Sequence, residues 1–479
     1  MIKAFVSFYR PRFADTIIYM LQSTEYNLKA YLAWLWHTQN FSHIMYRRTL
    51  DTTRRARALL TLLRIGLYVQ TLLGMVLIIS GIVDNRNEYI SFGFALIIAA
   101  PVFWAHLIVV PIWLARILIV APKERKMVKE SEKIFTDFKG PKIAVAGSYG
   151  KTTMKELLAT VLSEGKKVMA TPGNKNVLVS HARFASLLEG DEDILIIEYG
   201  EGKPGDVEKF AGYTKPSHAV ITGIAPAHLD QYKTLDAAAK DIFSATKKVK
   251  KSHVYVNSES DEARPYIHKE YETYDKKGAL GWKVANVEVS ITGTSFVMKK
   301  GKKNLELFTG LVGEHLLGPV AFASALAHEL GLSDKEIIAG VARTKPYEHR
   351  MQPYPLSGGW VIDDTYNGNI EGVRAGTRLL TKLPARKKFY VTPGLVDQGE
   401  ETERVHIEMG QLIAAAKPDI VVLMKNSVTQ YIEAGLCNKN YQGEIRIETK
   451  PLEFYTNLDQ FIAKDDLVLM QNDWTDNYR

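Results

Sequence analysis

The apolar residues in the first quarter of the chain come in long uncharged runs, and those of the remainder in short blocks separated by glycine and polar turns. Residues 65–83 read IGLYVQTLLGMVLIISGIV, with no charge and enough length for a helix to cross the ~30 Å hydrocarbon core of a bilayer. A polar break, DNRNE, follows. A second apolar run, 89–120, is interrupted by Pro101, His106, Pro111 and Arg116 and supplies one further span, at about 89–110, with an interfacial tail. Ahead of both, residues 19–46 are rich in aromatics (Tyr26, Tyr31, Trp34, Trp36, Phe41) and suit either an interfacial amphipathic helix or a helix packed on the spans. The first run lies too far from the N-terminus, and lacks the small-residue cleavage pattern, for a signal peptide.

Near Lys139 the pattern changes. Residues 142–146 (KIAVA) read as a short buried strand, followed by the loop GSYGKTT and a helical pattern over 154–164. Further strands read at 193–199, 219–222, 254–257 and 360–362, then at 388–392, 420–424 and 467–470 with helices between the last three. The expected fold class is α/β. A phosphate-loop central domain spans 139–345 and a C-terminal Rossmann-like α/β domain spans 346–479. An N-terminal helical transmembrane hairpin occupies residues 1–138.

Composition refines the placement. The single cysteine, Cys437, excludes an intrachain disulfide and suits a reducing compartment. The net charge of +8 is explained by where the basic residues sit, without a nucleic-acid-binding signature. Arg47, Arg48, Arg54, Arg55, Arg57 and Arg64 precede the first span, and Arg116, Lys123, Arg125, Lys126 and Lys129 follow the second. The intervening loop holds one Arg against one Asp and one Glu. The positive-inside rule puts both ends of the hairpin, and the domains after it, on the cytoplasmic side of the membrane.

The candidate chemistry starts at Gly147-Ser148-Tyr149-Gly150-Lys151-Thr152-Thr153. A glycine loop between strand and helix aims backbone N–H groups and a helix N-terminus at phosphates. Lys151 is placed to neutralise β/γ-phosphates and the Thr152 hydroxyl to ligate Mg²⁺. Val145 stands where the general Walker pattern wants glycine. Glu198 ends an apolar strand, where a carboxylate beside a phosphate loop can hold a metal.

This G-[ST]-x-G-K-T-T form resembles the Mur ligase superfamily, which includes the peptide ligases of cell-wall precursor synthesis and folylpolyglutamate synthetase. GIAPAHLD, residues 223–230, looks like the family stretch whose histidine, here His228, binds a second Mg²⁺. VYVN with Asp261 resembles the stretch near the nucleotide base and points to Asn257. Thr171-Pro172-Gly173-Asn174-Lys175-Asn176 resembles the loop of the branch that adds D-alanyl-D-alanine, MurF, with Val177 replacing its last asparagine. Tyr347-Glu348-His349-Arg350-Met351 and Asp363-Asp364-Thr365-Tyr366-Asn367-Gly368-Asn369 resemble the same branch, with Gly368 and Ile370 as departures. Gly394-Leu395-Val396-Asp397-Gln398-Gly399 with His406 continues the likeness, while the last strand runs into Gln471-Asn472-Asp473-Trp474 in place of the usual K-G-S-R. The likeness covers about Lys139 to Leu469.

The resemblance implies ATP and Mg²⁺ as cofactors, with Thr152, Glu198 and His228 on metal. Arg350 and Asp364 would reach the nucleotide on domain closure. Asn174, Asn176, Asp363, Tyr366, Asn367 and Asn369 would face the substrates. It implies activation of a carboxylate as an acyl phosphate and its joining to an amino acid or to D-Ala-D-Ala. Lys151, Glu198, His228 and Arg350 carry the catalysis. Many family members bear a carbamylated lysine about fourteen residues after the histidine; ungapped counting lands on Ile242, with Lys240 and Lys247 nearby. The hairpin stands where such enzymes hold the UDP end of their precursor, so the acceptor is expected to be UDP-linked or lipid-linked. Membrane lipid is then a partner, nucleic acid is not, and the protein is expected to be a monomer. Rival readings are a membrane-associated P-loop ATPase, a non-catalytic scaffold of the same fold, and a ligase acting on a different envelope polymer.

Overall fold

The computed structural model describes residues 9, 12–24, 26–38, 41, 50–173, 175–226, 229–366, 368–396 and 398–472. These form two compact units, residues 1–126 and 127–479.

In the first unit, helices α1 (Phe13–Ser23) and α2 (Leu28–His37) precede two long apolar helices, α3 (Arg54–Val83) and α4 (Asn87–Leu107). Thr53 caps α3 by accepting the Ala56 N–H. The buried seam of α3 is Ala56, Leu59, Leu63, Gly66, Gly74 and Gly81, a near-heptad stripe. Its small residues let α4 approach closely. A Cβ on Gly74 would sit 2.8 Å from the Gly93 carbonyl oxygen. The outward faces stay apolar and exposed, including Tyr68, Leu72, Ile79, Phe92 and Phe103. Gln70 satisfies its amide inside the hairpin, accepting from Trp104 Nε1 at 2.8 Å and donating to the Leu96 carbonyl at 3.0 Å.

The second apolar run stays helical beyond the predicted span, through α5 (Val109–Ala115), a π-helical stretch (Arg116–Val120) and α6 (Ala121–Asp137), whose residues from Met127 belong to the second unit. Described residues of the aromatic segment pack on the two long helices. Ile17, Ile18, Tyr31 and Leu35 are buried with Leu63, Ala105 and Ile112, and Tyr31 Oη donates to the Ala105 carbonyl at 2.8 Å.

The second unit begins its strands at β1 (Lys142–Ala146). There follow α7 (Lys151–Leu162), β2 (Val168–Ala170), α8 (Leu178–Ala185), β3 (Ile194–Glu198), α9 (Asp206–Thr214), β4 (His218–Ile221), α10 (Leu229–Tyr232), α11 (Leu235–Phe243) and β5 (Val254–Asn257). Next come β6 (Glu272–Asp275), β7 (Gly278–Ala279), β8 (Trp282–Ser290), β9 (Gly293–Lys300) and β10 (Lys303–Thr309), then α12 (Leu317–Glu329) and α13 (Asp334–Ala342). Among the described residues one sheet runs β10-β9-β8-β7-β6-β5-β4-β1-β3-β2, parallel from β2 to β6 and antiparallel beyond. Alternation sorts the two faces of β1: Ile143 and Val145 enter one apolar layer, Ala144 and Ala146 the other. Burial on both faces explains why β1 and β3 read as unbroken apolar runs.

A second sheet comprises β11 (Gln352–Leu356), β12 (Gly359–Asp364), β13 (Lys388–Thr392), β14 (Ile420–Met424), β15 (Glu444–Glu448) and β16 (Leu467–Gln471), in the order β11-β12-β16-β13-β14-β15. Among the described residues only β11 is antiparallel to its neighbour. Helices α14 (Ile370–Lys382), α15 (Thr402–Ala416), α16 (Thr429–Asn438), α17 (Pro451–Thr456) and α18 (Leu458–Phe461) connect these strands.

Candidate active site

Strand β1 lies between β3 and β4, so the chain turns opposite ways at its two sides, and a crevice opens beyond the C-terminal ends of these strands. The phosphate loop leaves β1 there. Gly147 has φ 150° and a Cβ on it would collide with Thr222 Oγ1, so no side chain fits. Gly150 has φ 73° and caps α7, which begins at Lys151 and not at Met154. Ser148 N–H donates to the Gly223 carbonyl at 2.8 Å, tying the loop to the end of β4. The Tyr149 ring packs over Gly223, and burial pushes its phenol up to about 12. Thr153 lines the same cleft.

Glu198, 1% exposed, is the hub. Its Oε1 accepts from Thr152 Oγ1 at 3.1 Å and from Asn176 Nδ2 at 3.2 Å. Its Oε2 has no hydrogen-bond partner among the described residues, only Lys155 Nζ at 3.5 Å. A buried carboxylate oxygen left open is unusual and leaves room for a cation. Thr152 and Glu198 are thus the pair able to hold one. Among the described residues no group of three or more His, Cys, Asp or Glu side chains is assembled.

Three predicted site residues, Asn174, His228 and Asn367, lie outside the described residues. Ile242 is fully buried in the apolar layer of α11, Lys240 is exposed and pairs with Asp236 at 2.7 Å, and Lys247 pairs with Glu208 at 2.7 Å.

The second sheet brings Arg350 to the loop. Its Nη2 reaches Thr152 Oγ1 at 3.5 Å and its guanidinium lies 4.7 Å from the centre of the Tyr366 ring. Arg350 is flanked by two residues in the left-handed region, His349 at φ 58° and Met351 at φ 44°. Asp364 accepts from Met351 N–H at 3.1 Å and from Gln471 Nε2 at 2.7 Å, and burial raises its carboxyl to about 7. Asp363 braces the turn, accepting from Thr365 N–H at 3.1 Å and lying 2.8 Å from His349 Nδ1. Asn369 caps α14 by accepting the Gly372 N–H at 2.9 Å. Asn257 donates to the Thr222 carbonyl at 2.9 Å. Tyr149, Asn257, Arg350, Asp364, Tyr366 and Asn369 line one cleft of about 770 Å³ between the two sheets, a volume ample for a nucleotide. His406, part of the family-like stretch, is buried and neutral. It accepts Leu395 N–H at 2.9 Å and donates to the Thr402 carbonyl, and burial lowers its pKa.

Sequence reasoning missed three residues. Lys155 is fully buried, donates to the Thr171 and Gly173 carbonyls, and so ties the 171–176 loop to Glu198. A lysine beside Met154 on the apolar face of α7 was its signal. Glu201 is buried against Lys151. Gln471 joins Asp364 to Tyr390, whose Oη donates to Gln471 Oε1 at 2.9 Å.

Residues 145–327 match the model of the Mur ligase middle domain. The chain is 26% identical over 289 residues to UDP-N-acetylmuramoyl-tripeptide–D-alanyl-D-alanine ligase of Escherichia coli K12, covering 58% of this chain and 63% of that one. It is 28% identical over 306 residues to the enzyme of the same name from Borreliella burgdorferi, covering 60% and 62%. The chain is thus similar to Mur ligases, and the family model matches it over residues 145–327. The fold of MurF ligase from Thermotoga maritima, solved with ADP, superposes with a TM-score of 0.64 at 22% identity, over 73% of this chain and 80% of that one. The matches span less than two thirds of the length of these curated relatives. The Mur ligase middle-domain match contains the phosphate loop, Glu198 and Asn257, while Arg350 and Asp364 lie beyond it. Asp364 ends a strand of the second sheet, and Arg350 lies just ahead of that sheet's first strand.

Proposed function

We propose that this chain is an ATP-dependent amide ligase of cell-wall precursor synthesis, joining an activated carboxylate to an amino acid or dipeptide such as D-Ala-D-Ala. The observation that carries the reading is the convergence of Glu198 and Arg350 on Thr152 of the phosphate loop, beside the cleft that Gly150, Thr153 and Arg350 line. The names of the curated relatives support the same reaction class.

In the first step a substrate carboxylate oxygen attacks the γ-phosphorus of ATP. The bond to the β,γ-bridging oxygen breaks, leaving an acyl phosphate and ADP. In the second, a deprotonated amine attacks the acyl carbon and phosphate departs, so the new amide nitrogen sheds one proton overall. Little covalent work falls to the protein; positioning and charge compensation dominate. Lys151 and Arg350 supply positive charge to the transferred phosphoryl group. Mg²⁺, held through Thr152 and Glu198, would neutralise phosphate oxygens as a Lewis acid. Asn176, whose amide donates to Glu198, would orient the acceptor. Tyr366 sets the Arg350 guanidinium by stacking.

The apolar hairpin supports a multi-pass membrane location with the catalytic unit in the cytoplasm. Two helices, Arg54–Val83 and Asn87–Asp137, are long and apolar enough to cross a bilayer, and their apolar side chains face outward. The acceptor is then UDP-linked or lipid-linked. The test is ADP release by the full-length protein in detergent, with UDP-linked or polyprenyl-linked muramoyl peptide and with D-Ala-D-Ala supplied or withheld. Release that requires both acceptor and amine supports the reading. Release indifferent to both would leave an ATPase, and no release with any pair would leave a scaffold.

A further inference from the structure

The Lys151 ammonium, the group expected to meet phosphate, is already engaged. Its Nζ donates to the Gly147 carbonyl at 2.5 Å and sits 2.8 Å and 2.7 Å from the two carboxylate oxygens of Glu201. Glu201 is 6% exposed and lies three residues beyond Glu198, on the turn that leaves β3. Among the described residues Lys151 is its one ion-pair and hydrogen-bond partner.

A phosphate that takes Lys151 therefore strands a buried carboxylate. Leaving such a charge uncompensated costs more than the pair itself contributes. The neighbouring Glu198 Oε2 is a second buried carboxylate oxygen without a hydrogen-bond donor among the described residues. The compensation has to arrive with the ligand, and the cation that accompanies a nucleotide is divalent.

We propose that Glu201 is the resting counter-ion of Lys151 and passes to the divalent cation when a nucleotide phosphate takes the lysine. The inference rests on the ATP reading above and deepens it. Glu201 becomes a residue that selects metal-bound nucleotide over the metal-free form. Metal-free nucleotide must break the Lys151–Glu201 pair with nothing to replace it. Metal-bound nucleotide exchanges an ammonium for a cation at the same carboxylate.

The experiment measures ADP affinity by titration calorimetry on the full-length protein in detergent, once with EDTA and once with Mg²⁺. In wild type, Mg²⁺ tightens ADP. Glu201→Gln keeps the shape and removes the charge, so metal-free ADP is expected to bind roughly tenfold tighter, with the Mg²⁺-dependent gain reduced by a similar factor. In the Lys151→Met background the same substitution is expected to give no metal-free gain, because no lysine is released; a purely structural role for Glu201 would not depend on Lys151. Glu201→Asp keeps the charge with a shorter reach and is expected to lie between wild type and E201Q in both conditions. Metal-free affinity that is unchanged or weaker in E201Q overturns the proposal, as does an undiminished response to Mg²⁺. Wild-type protein that binds ADP in neither condition overturns the ATP reading itself.

Discussion

Asp364→Asn tests how the cleft handles a buried charge. Burial raises the Asp364 carboxyl from its ordinary 3.8 to about 7, against the opposing pull of the Gln471 amide, the Met351 N–H and Arg350. The folded pKa lies above the unfolded one, so the folded state favours the protonated carboxyl. That preference stabilises fully below about pH 4 and is lost as pH rises through about 7. A shift of about three units at 1.36 kcal/mol each bounds the loss at about 4 kcal/mol, and polarisable surroundings bring it to roughly 2 kcal/mol. An asparagine at this position cannot ionise, so the variant escapes this loss. It carries instead a fixed cost of about 1 kcal/mol, because its amide N–H₂ competes with the Gln471 donor. The fixed cost does not vary with pH, so the readout is the difference between melting curves. At roughly 2–4 °C per kcal/mol, the melting point of D364N relative to wild type should rise by on the order of 5 °C between about pH 5 and pH 8.5. Parallel melting-point profiles for the two proteins would refute the reasoning.

Three further outcomes follow from the geometry. Glu198→Gln should lower ADP formation by about a thousandfold and abolish its response to Mg²⁺, measured by coupled phosphate release; a retained Mg²⁺ optimum would show that the cation sits elsewhere. Lys155→Met removes a fully buried cation from Glu198 and from the Thr171 and Gly173 carbonyls. It should cost about 3–5 kcal/mol in urea unfolding and lower kcat more than it raises KM, and an unshifted urea midpoint would count against the pairing. Gly74→Leu would drive a Cβ to within 2.6 Å of Ile97 and 2.8 Å of the Gly93 carbonyl oxygen. It should weaken the helix pair by about 1–3 kcal/mol, read as slower disulfide trapping between cysteines placed on α3 and α4; trapping at the wild-type rate would mean the helices are not held at this seam.

Where burial and periodicity coincide, the elements are legible in the sequence. The segments 142–146, 254–257, 388–392 and 420–424 form strands with the ends their apolar pattern predicts, because runs buried on both faces announce themselves. The pattern ends β12 too early, at 362, since Asp363 and Asp364 are polar yet pair with Met470 and Gln471 at the sheet's active end. The antiparallel run β7–β10 leaves no comparable signal; β8 is half exposed, its pattern is irregular, and a register shift falls between Ala285 and Glu288. The loop glycines, Lys151 and Glu198 are legible because motif and position agree. Glu201 and Gln471 are not, for a residue's importance there comes from a partner distant in sequence: Glu201 Oε1 meets Lys151 Nζ fifty residues away.

The two left-handed residues around Arg350 mean that its aim is written into the main chain. Each such conformation costs a non-glycine residue about 1–2 kcal/mol, held in place by the surrounding packing. The main chain that carries the arginine is thus set at folding, and that part of the ordering entropy does not recur at each turnover. A β-branched residue in place of His349 or Met351 would then disarm an arginine it never touches.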